Sequence, residues 1–288
     1  MAKRVLGVLG GSGLYDMEGL EDVSEHRVET AFGVPSDTIV RGRLGETELL
    51  FLPRHGRGHT IPPHQINYRA NLLALKMLGA EQVVSVSAVG SMKEHLAPGD
   101  IVLPDQFLDR TRHRSDTYFE DIGVVAHVEL ADPVDAALGA ALYKAAVDTG
   151  VRTHRGGTYV CIEGPQFSTR AESNLYRSWG VDVIGMTNLP EARLAREAEL
   201  PYATVAMVTD YDCWHQSEAD VSVAAVLAVL KKNVATARDL LKRVAAALPD
   251  ASQSPASAAL THALITSPER ISDEAKAKLA PLCGRLFE

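Results

Sequence analysis

The sequence predicts a single α/β domain built on a substantially parallel β-sheet. Two observations carry this expectation. Short runs rich in Val, Ile and Leu alternate with longer amphipathic or Ala-rich patterns along the chain. No linker-like segment divides it before residue 249, so the alternating elements belong to one largely parallel sheet. A chain of 288 residues is long enough to bury one large core.

The elements follow in order. A strand at 4–9 runs directly into Gly10-Gly-Ser-Gly13. Further strands are predicted at 38–43, 47–52, 82–89, 100–103, 157–162, 181–184 and 202–209, from their β-branched content and turn-forming flanks. A helix over 67–78 is stopped by Gly79, and an Ala-rich helix opens at Pro133 and ends near Gly150. Thr169-Arg-Ala-Glu172 has the form of a capping box and starts a helix to about Trp179. Pro190 starts another, to about Glu199, and the longest pattern runs over 221–248 to Pro249. Residues 1–248 form the expected main domain. Residues 249–288 form a linker followed by a tail with two short helical patterns, the second capped by Ser272.

Composition excludes several classes. Hydrophobic residues are 46% and charged residues 23%, which is too apolar for a disordered chain. The net charge of −8 opposes non-specific nucleic-acid binding, which needs a positive surface. The apolar run 221–230 is too short to span a bilayer, and the glycines at 7, 10 and 11 interrupt any leader-like segment. Three cysteines without a CxxC pair point to a reduced, cytoplasmic chain. The histidines lack metal-ligand spacing, and His127-Val-Glu129 is not followed by the Pro-Cys-x-x-Cys of a zinc deaminase.

The candidate site residues cluster at predicted strand ends. Gly10-Gly-Ser-Gly13 offers backbone N–H groups and the Ser12 hydroxyl to an anion, or it is simply a tight turn. It matches neither the dinucleotide fingerprint nor a P-loop. Arg54 and His55, just beyond a strand in an acidic chain, suit phosphate. Ser85–Ser91 ends a strand in small hydroxyl residues, and Glu163-Gly-Pro-Gln-Phe167 places an aromatic face at another. Met186 and Thr187 precede a helix start. Asp210 and Asp212, two apart, share one face if the chain there is extended. Carboxylates grouped in a cleft raise one another's pKa, so one could stay protonated and donate to a base nitrogen. The alternative is a helix cap and a loop Asp.

Taken in order, these segments resemble the methylthioadenosine phosphorylase branch of the purine nucleoside phosphorylase family. The resemblance rests on Gly10-Gly-Ser-Gly-Leu14, Arg54-His-Gly56, Asn67-Tyr-Arg-Ala-Asn71, Ala88-Val-Gly-Ser91, Pro98-Gly-Asp-Ile-Val102 and Asp105–Thr111. It continues through Glu163–Ser168, Arg170-Ala-Glu-Ser173, Gly185-Met-Thr187, Pro190-Glu191 and Thr209–Trp214. It implies an α/β fold with a central mixed β-sheet, partly closed into a barrel and flanked by helices, and phosphorolysis, in which phosphate attacks C1′ of a purine nucleoside. No cofactor or metal is implied; inorganic phosphate is a co-substrate.

By position, Ser12, Arg54, His55, Ser87, Ala88 and Thr187 correspond to a phosphate site, and Met186 to a ribose contact. Phe167 and Ile184 correspond to base packers, and Asp210 and Asp212 to the residues that read the purine. Val221, Val223 and Val226 would line a 5′-methylthio pocket, with His127 reaching in from a neighbouring subunit of a homotrimer or dimer of trimers. Part of the tail would help close it. Ser12 stands where many members have Thr, Gln166 where many have Arg, and Gly185 where some have Asn. The stretch beyond about residue 265 is longer than expected and has no clear counterpart in the resemblance. Competing readings are a 6-oxopurine or methylthioinosine phosphorylase, a nucleosidase, and a non-catalytic purine or phosphate sensor.

Overall fold

The computed structural model describes residues 4–11, 13–215 and 223–287, with the backbone alone for 223–228 and 230–232. Eleven strands form one mixed sheet. They are β1 (Arg4–Gly10), β2 (Glu21–His26), β3 (Ile39–Leu44), β4 (Thr47–Pro53), β5 (Gln82–Ser91) and β6 (Ile101–Leu103). The remainder are β7 (Gln106–Arg110), β8 (Thr153–Arg155), β9 (Thr158–Ile162), β10 (Val183–Gly185) and β11 (Tyr202–Asp210). The helices are α1 (Tyr68–Met77), α2 (Ala136–Asp148), α3 (Arg170–Ser178), α4 (Asn188–Glu197), α5 (Val223–Ala246) and α6 (Asp273–Cys283).

The strand order is β2-β3-β4-β1-β5-β10-β9-β7, with β11 also pairing β5 and leading through β6 to β8. The sheet therefore forks at β5, its longest strand. Hydrogen bonds do not close it into a ring among the described residues. Each strand that the sequence pattern missed lies at an end of this branched order: β2, β7 and β8. A marginal strand buries no continuous face, so it carries no apolar run. β2 is exposed at five of its six positions, and β7 alternates between exposed and half-buried.

Helices cover both faces. Leu138 and Leu142 of α2 pack with Leu240, Leu241 and Val244 of α5 on one. Leu72, Leu73 and Leu75 of α1 pack with Leu194 and Ala195 of α4 and Leu279 and Leu282 of α6 on the other. The expected capping box is present: Thr169 accepts from the Glu172 amide, and the Glu172 side chain accepts from Thr169. The Ala-rich helix begins at Ala136, capped by Asp135, rather than at Pro133, because the Asp135 carboxylate satisfies the Leu138 amide. α4 begins at Asn188 rather than Pro190.

The tail packs as part of the domain. Residues 251–258 form two 3-10 turns, capped by Asp250 and Ser254. Of the two expected helical patterns, the second is α6, capped by Ser272, whereas the first contains only 3-10 turns. Glu199 anchors the tail by accepting from the Leu260 amide at 3.0 Å and from Arg285 at 2.6 Å. Among the described residues, no helix is long and apolar enough to cross a membrane.

The sheet register gathers the candidate residues. β1, β4, β5 and β11 are parallel, with Gly10 beside Pro53 and Asp210 beside Gly90. Their carboxyl ends thus form one edge, where open α/β sheets bind ligands. β10 runs antiparallel to β5, with Ile184 beside Gly90. The chain leaving β10 therefore heads back along β5, which carries Thr187 and Asn188 toward Ser87.

Away from that edge, α4 buries the carboxyl of Glu197, which accepts from the Tyr118 amide at 2.7 Å and the Thr117 hydroxyl at 2.8 Å. Burial outweighs both bonds and pushes its pKa up to about 7. The folded state then holds a proton that the unfolded chain has released, so stability falls as pH rises from about 4.5 to about 7. We expect Glu197→Gln to flatten this dependence and to recover up to about 3 kcal/mol at pH 8. Urea denaturation of both proteins at pH 5 and pH 8 checks it; parallel profiles would refute it.

Candidate active site

Arg54 lies at the end of β4 and is almost wholly buried, at 2% exposure. Its Nε donates to Glu191 Oε1 at 2.6 Å, and its Nη2 lies 3.1 Å from Glu191 Oε2, 2.6 Å from the Ser85 hydroxyl and 3.2 Å from the Leu9 carbonyl. Nη1 donates to the Val86 carbonyl at 2.9 Å. The bidentate fork that the sequence suggested for phosphate thus grips a carboxylate of the protein. Of the five guanidinium N–H groups, one on Nη1 is not taken up by these contacts among the described residues. Burial disfavours the charge, but Glu191 outweighs burial and keeps Arg54 cationic.

Glu191 is completely buried on α4 and also accepts from the Tyr202 hydroxyl at 3.1 Å. Asn188 donates to Tyr202 at 2.6 Å and to Ser85 at 2.9 Å, while Ser87 donates to Asn188 at 3.3 Å. One polar network therefore links β1, β4, β5, β11 and the start of α4. Among the residues assigned to phosphate, it includes Arg54 and Ser87 directly. Thr187 immediately precedes Asn188, and Ala88 is the one partly exposed residue of β5. Ser12 lies outside the described residues.

His55 is half-buried beside this network. Its Nδ1 lies 2.9 Å from the Ile61 carbonyl, and its ring stacks on His59 with centroids 4.1 Å apart. Burial first, then Arg54, His59 and Arg114, push its pKa down to about 4, against the contact with Ile61.

The acidic end of the site differs from its sequence expectation in geometry. Asp210 ends β11, and Asp212 follows in a turn with φ of 53°. The two carboxylates are therefore not on one extended face. They are joined through the backbone: the Asp212 amide donates to Asp210 Oδ1 at 2.8 Å, and the Thr209 hydroxyl donates to Oδ2 at 2.6 Å. Burial raises the pKa of Asp210 against these two bonds, so desolvation and not the neighbouring carboxylate is the cause. Gly90 makes the approach possible, because a Cβ there would lie 2.9 Å from Asp210 Oδ1 and 3.0 Å from Ile184.

The wall between these ends is apolar. Ile184 is buried, Met186 is half-buried and Phe167 is 45% exposed, leaving its ring open to a flat ligand. Gly164 is required beside Met186: its φ is 66° and a Cβ would come within 2.6 Å of the Met186 sulfur. Arg114 was not foreseen, since an arginine in a polar loop carries no local signal. Its side chain is nonetheless buried, and it donates to Glu163 at 2.9 Å and to the carbonyls of Met186 and Leu189, each at 2.7 Å.

His127 lies apart on an exposed loop held to the tail. Its amide donates to the Ala263 carbonyl at 2.8 Å, and Ile265 donates to the Val125 carbonyl at 2.9 Å. Val221 falls outside the described residues, and Val223 and Val226 are described as helical backbone only. Among the described residues, no group of three or more His, Cys, Asp or Glu is placed to hold a metal ion.

Gly185 has a steric origin. A Cβ at this position would fall 2.0 Å from the hydroxyl of Tyr159, which is fully buried. Tyr159 occupies the space a side chain at 185 would need. Gly185→Ala should therefore destabilise the fold by about 1–3 kcal/mol, as overpacked cores do. Chemical denaturation measures this, and an unchanged midpoint would contradict the packing argument.

Truncating Arg54 leaves Glu191 buried and unpaired. Arg54→Ala and Glu191→Ala are each expected to cost about 3–5 kcal/mol, and the double variant less than their sum. Additive losses in a double-mutant cycle would show that the pair is not coupled.

Comparison with known proteins identifies the family. The sequence profile described as the phosphorylase superfamily matches residues 5–246. The S-methyl-5'-thioadenosine phosphorylase of Geobacter sulfurreducens is 55% identical over 283 residues, covering 98% of this chain and 99% of that protein. The protein of the same name from Koribacter versatilis is 52% identical, covering 98% and 96%. These matches extend through the tail, contrary to the expectation that it lacks counterparts beyond about residue 265. A crystal structure of a methylthioadenosine phosphorylase from an antarctic soil metagenomic library superposes with a TM-score of 0.91 at 47% identity, covering 97% of this chain and 99% of that one. The Schistosoma mansoni methylthioadenosine phosphorylase in complex with adenine gives 0.87 at 37%, covering 91% and 99%. The chain belongs to the phosphorylase superfamily.

Proposed function

We propose that the protein catalyses phosphorolysis of 5′-methylthioadenosine to adenine and 5-methylthioribose 1-phosphate. The observation that carries this reading is a site with two unlike ends on one sheet edge. A cationic, hydroxyl-rich end contains Arg54, His55, Ser87 and Thr187. A desolvated carboxyl end contains Asp210, whose pKa is raised by burial. The names of the relatives support the same substrate.

The chemistry follows from the charges. Phosphate at the cationic end attacks C1′ as the bond from C1′ to N9 breaks, and the bonding pair leaves with the purine. The transition state is a positive sugar between two anions, which the phosphate stabilises electrostatically. Asp210, protonated, gives its proton to N7 of the departing base, a form of acid catalysis typically worth about 10²–10⁴-fold. Phe167, Ile184 and Met186 sandwich base and ribose. Phosphate is the second substrate and no cofactor takes part. His127 completes the 5′ pocket of a neighbouring subunit in a cytoplasmic homotrimer or dimer of trimers, together with the α5 start.

Incubation with methylthioadenosine, with and without phosphate, tests the reading. Adenine release should require phosphate or arsenate. Release at an undiminished rate in phosphate-free buffer would identify a hydrolase, and no release with either anion would identify a sensor.

The base preference follows from hydrogen bonding. A protonated Asp210 donates to N7 and accepts from the 6-amino group, whereas O6 of a 6-oxopurine would face its carbonyl with a second acceptor. Asp210→Asn should lose most activity on methylthioadenosine and gain, relatively, on methylthioinosine. Sites built on such a bond discriminate by up to about 10⁴–10⁵. The ratio of kcat/KM for the two nucleosides measures this, and an unchanged ratio would remove Asp210 from base reading.

A further inference from the structure

His55 is held to Ile61 at two points, one on its backbone and one on its ring. The Ile61 amide donates to the His55 carbonyl at 3.0 Å, and His55 Nδ1 lies 2.9 Å from the Ile61 carbonyl. A carbonyl oxygen only accepts, so Nδ1 carries the hydrogen. Turning the ring over about Cβ–Cγ would break that bond, and the stack on His59, with planes 20° apart, holds the plane of the ring.

A second proton on the ring is opposed from several sides. The charged and titratable groups facing it are Arg54 on β4, Arg114 on the loop after β7, and His59 in its own loop. With burial, they push its pKa down to about 4. At neutral pH the ring is therefore neutral, and Nε2 presents a lone pair that can only accept.

An oxygen without a proton cannot satisfy that lone pair. Fully ionised tetrahedral anions such as sulfate offer acceptors alone, so an oxygen at Nε2 would meet it acceptor to acceptor. Monohydrogen phosphate and monohydrogen arsenate each carry one O–H. We propose that the site binds phosphate with its protonated oxygen donating to His55 Nε2, and so selects protonated oxyanions over sulfate. This deepens the phosphorolysis reading and rests on His55 touching the phosphate.

The proton bookkeeping is simple. An unprotonated oxygen forms the bond to C1′, while the P–OH stays on His55 throughout and leaves with the sugar phosphate. The proton delivered to the purine comes from Asp210. His55 holds the nucleophile in one orientation without taking its proton.

The experiment measures the KM for phosphate and competitive inhibition by sulfate in wild type and His55→Gln at pH 6 and pH 8. Wild type should bind sulfate at least about tenfold more weakly than phosphate at pH 8, the effect of one mismatched buried polar contact. Sulfate inhibition should strengthen by up to about tenfold per pH unit on acidification, because its binding must bring a proton onto Nε2. In His55→Gln, whose amide can donate, the phosphate KM should rise, the preference should narrow and the pH dependence of sulfate should disappear. Sulfate that matches phosphate at pH 8, or inhibits independently of pH, would overturn the proposal. An unchanged phosphate KM in His55→Gln would also overturn it, by showing that His55 does not touch the anion. Neither result would affect the separate requirement of adenine release for phosphate, which tests phosphorolysis itself.

Discussion

The site depends on the buried ion pair between Arg54 and Glu191. Arg54 closes β4, and Glu191 lies in the first turn of α4, 137 residues later. Two desolvated charges in contact are costly unless their remaining donors and acceptors are satisfied. Here the Ser85 and Tyr202 hydroxyls and the carbonyls of Leu9 and Val86 provide that satisfaction. Satisfying the pair thus requires β1, β4, β5 and β11 to present their ends in register. The same requirement fixes the loop that starts α4, and with it Met186, Thr187 and Asn188. The pair organises the site more than it supplies ligands to it.

This explains how much of the site was legible in the sequence. Arg54, His55 and Asp210 were identifiable because charged residues directly after apolar strands are locally conspicuous. What Arg54 contacts was not identifiable, because its partner is far away in the chain and Pro190-Glu191 reads as an ordinary helix start. Arg114 gave no signal for the same reason: its donors reach Met186, Leu189 and Glu163, which only the fold brings together. The spacing of Asp210 and Asp212 suggested an extended face, but Asp212 adopts a positive φ and turns its amide back onto Asp210. Period-2 reasoning fails where a strand ends inside the interval.

The fold shows a parallel limit. Buried strands such as β5 and β11 announce themselves as apolar runs, and their predicted bounds lie within two residues of those observed. β2, β7 and β8 do not, because a strand at the margin of a sheet is specified by its partner's hydrogen bonds rather than by its own hydrophobicity. The tail misled in the opposite direction. Its linker-like composition hides 3-10 turns, and Leu260, Ala263 and Ile271 bury themselves against the α1 and α4 layer. Proline and serine broke the helical pattern, yet a few spaced apolar side chains still fix the segment to the domain.

The two ends of the site use burial in opposite ways. At Arg54, desolvation is overcome by a paired carboxylate, so the cation persists where water is excluded, with its charge largely balanced by Glu191. At Asp210, desolvation prevails over two hydrogen bonds, so a carboxyl is biased toward its neutral, proton-donating form. β5 lies between them, with Ser85 bonded to Arg54 and Gly90 beneath Asp210. From Ser85 to Gly90 the strand spans roughly 17 Å at about 3.3 Å per residue. The strand thus holds a buried cation near one end and a carboxyl biased toward its neutral form near the other. Spacing Arg54 and Asp210 along one strand keeps the two groups from pairing with each other, which would hold Asp210 ionised as Arg54 holds Glu191.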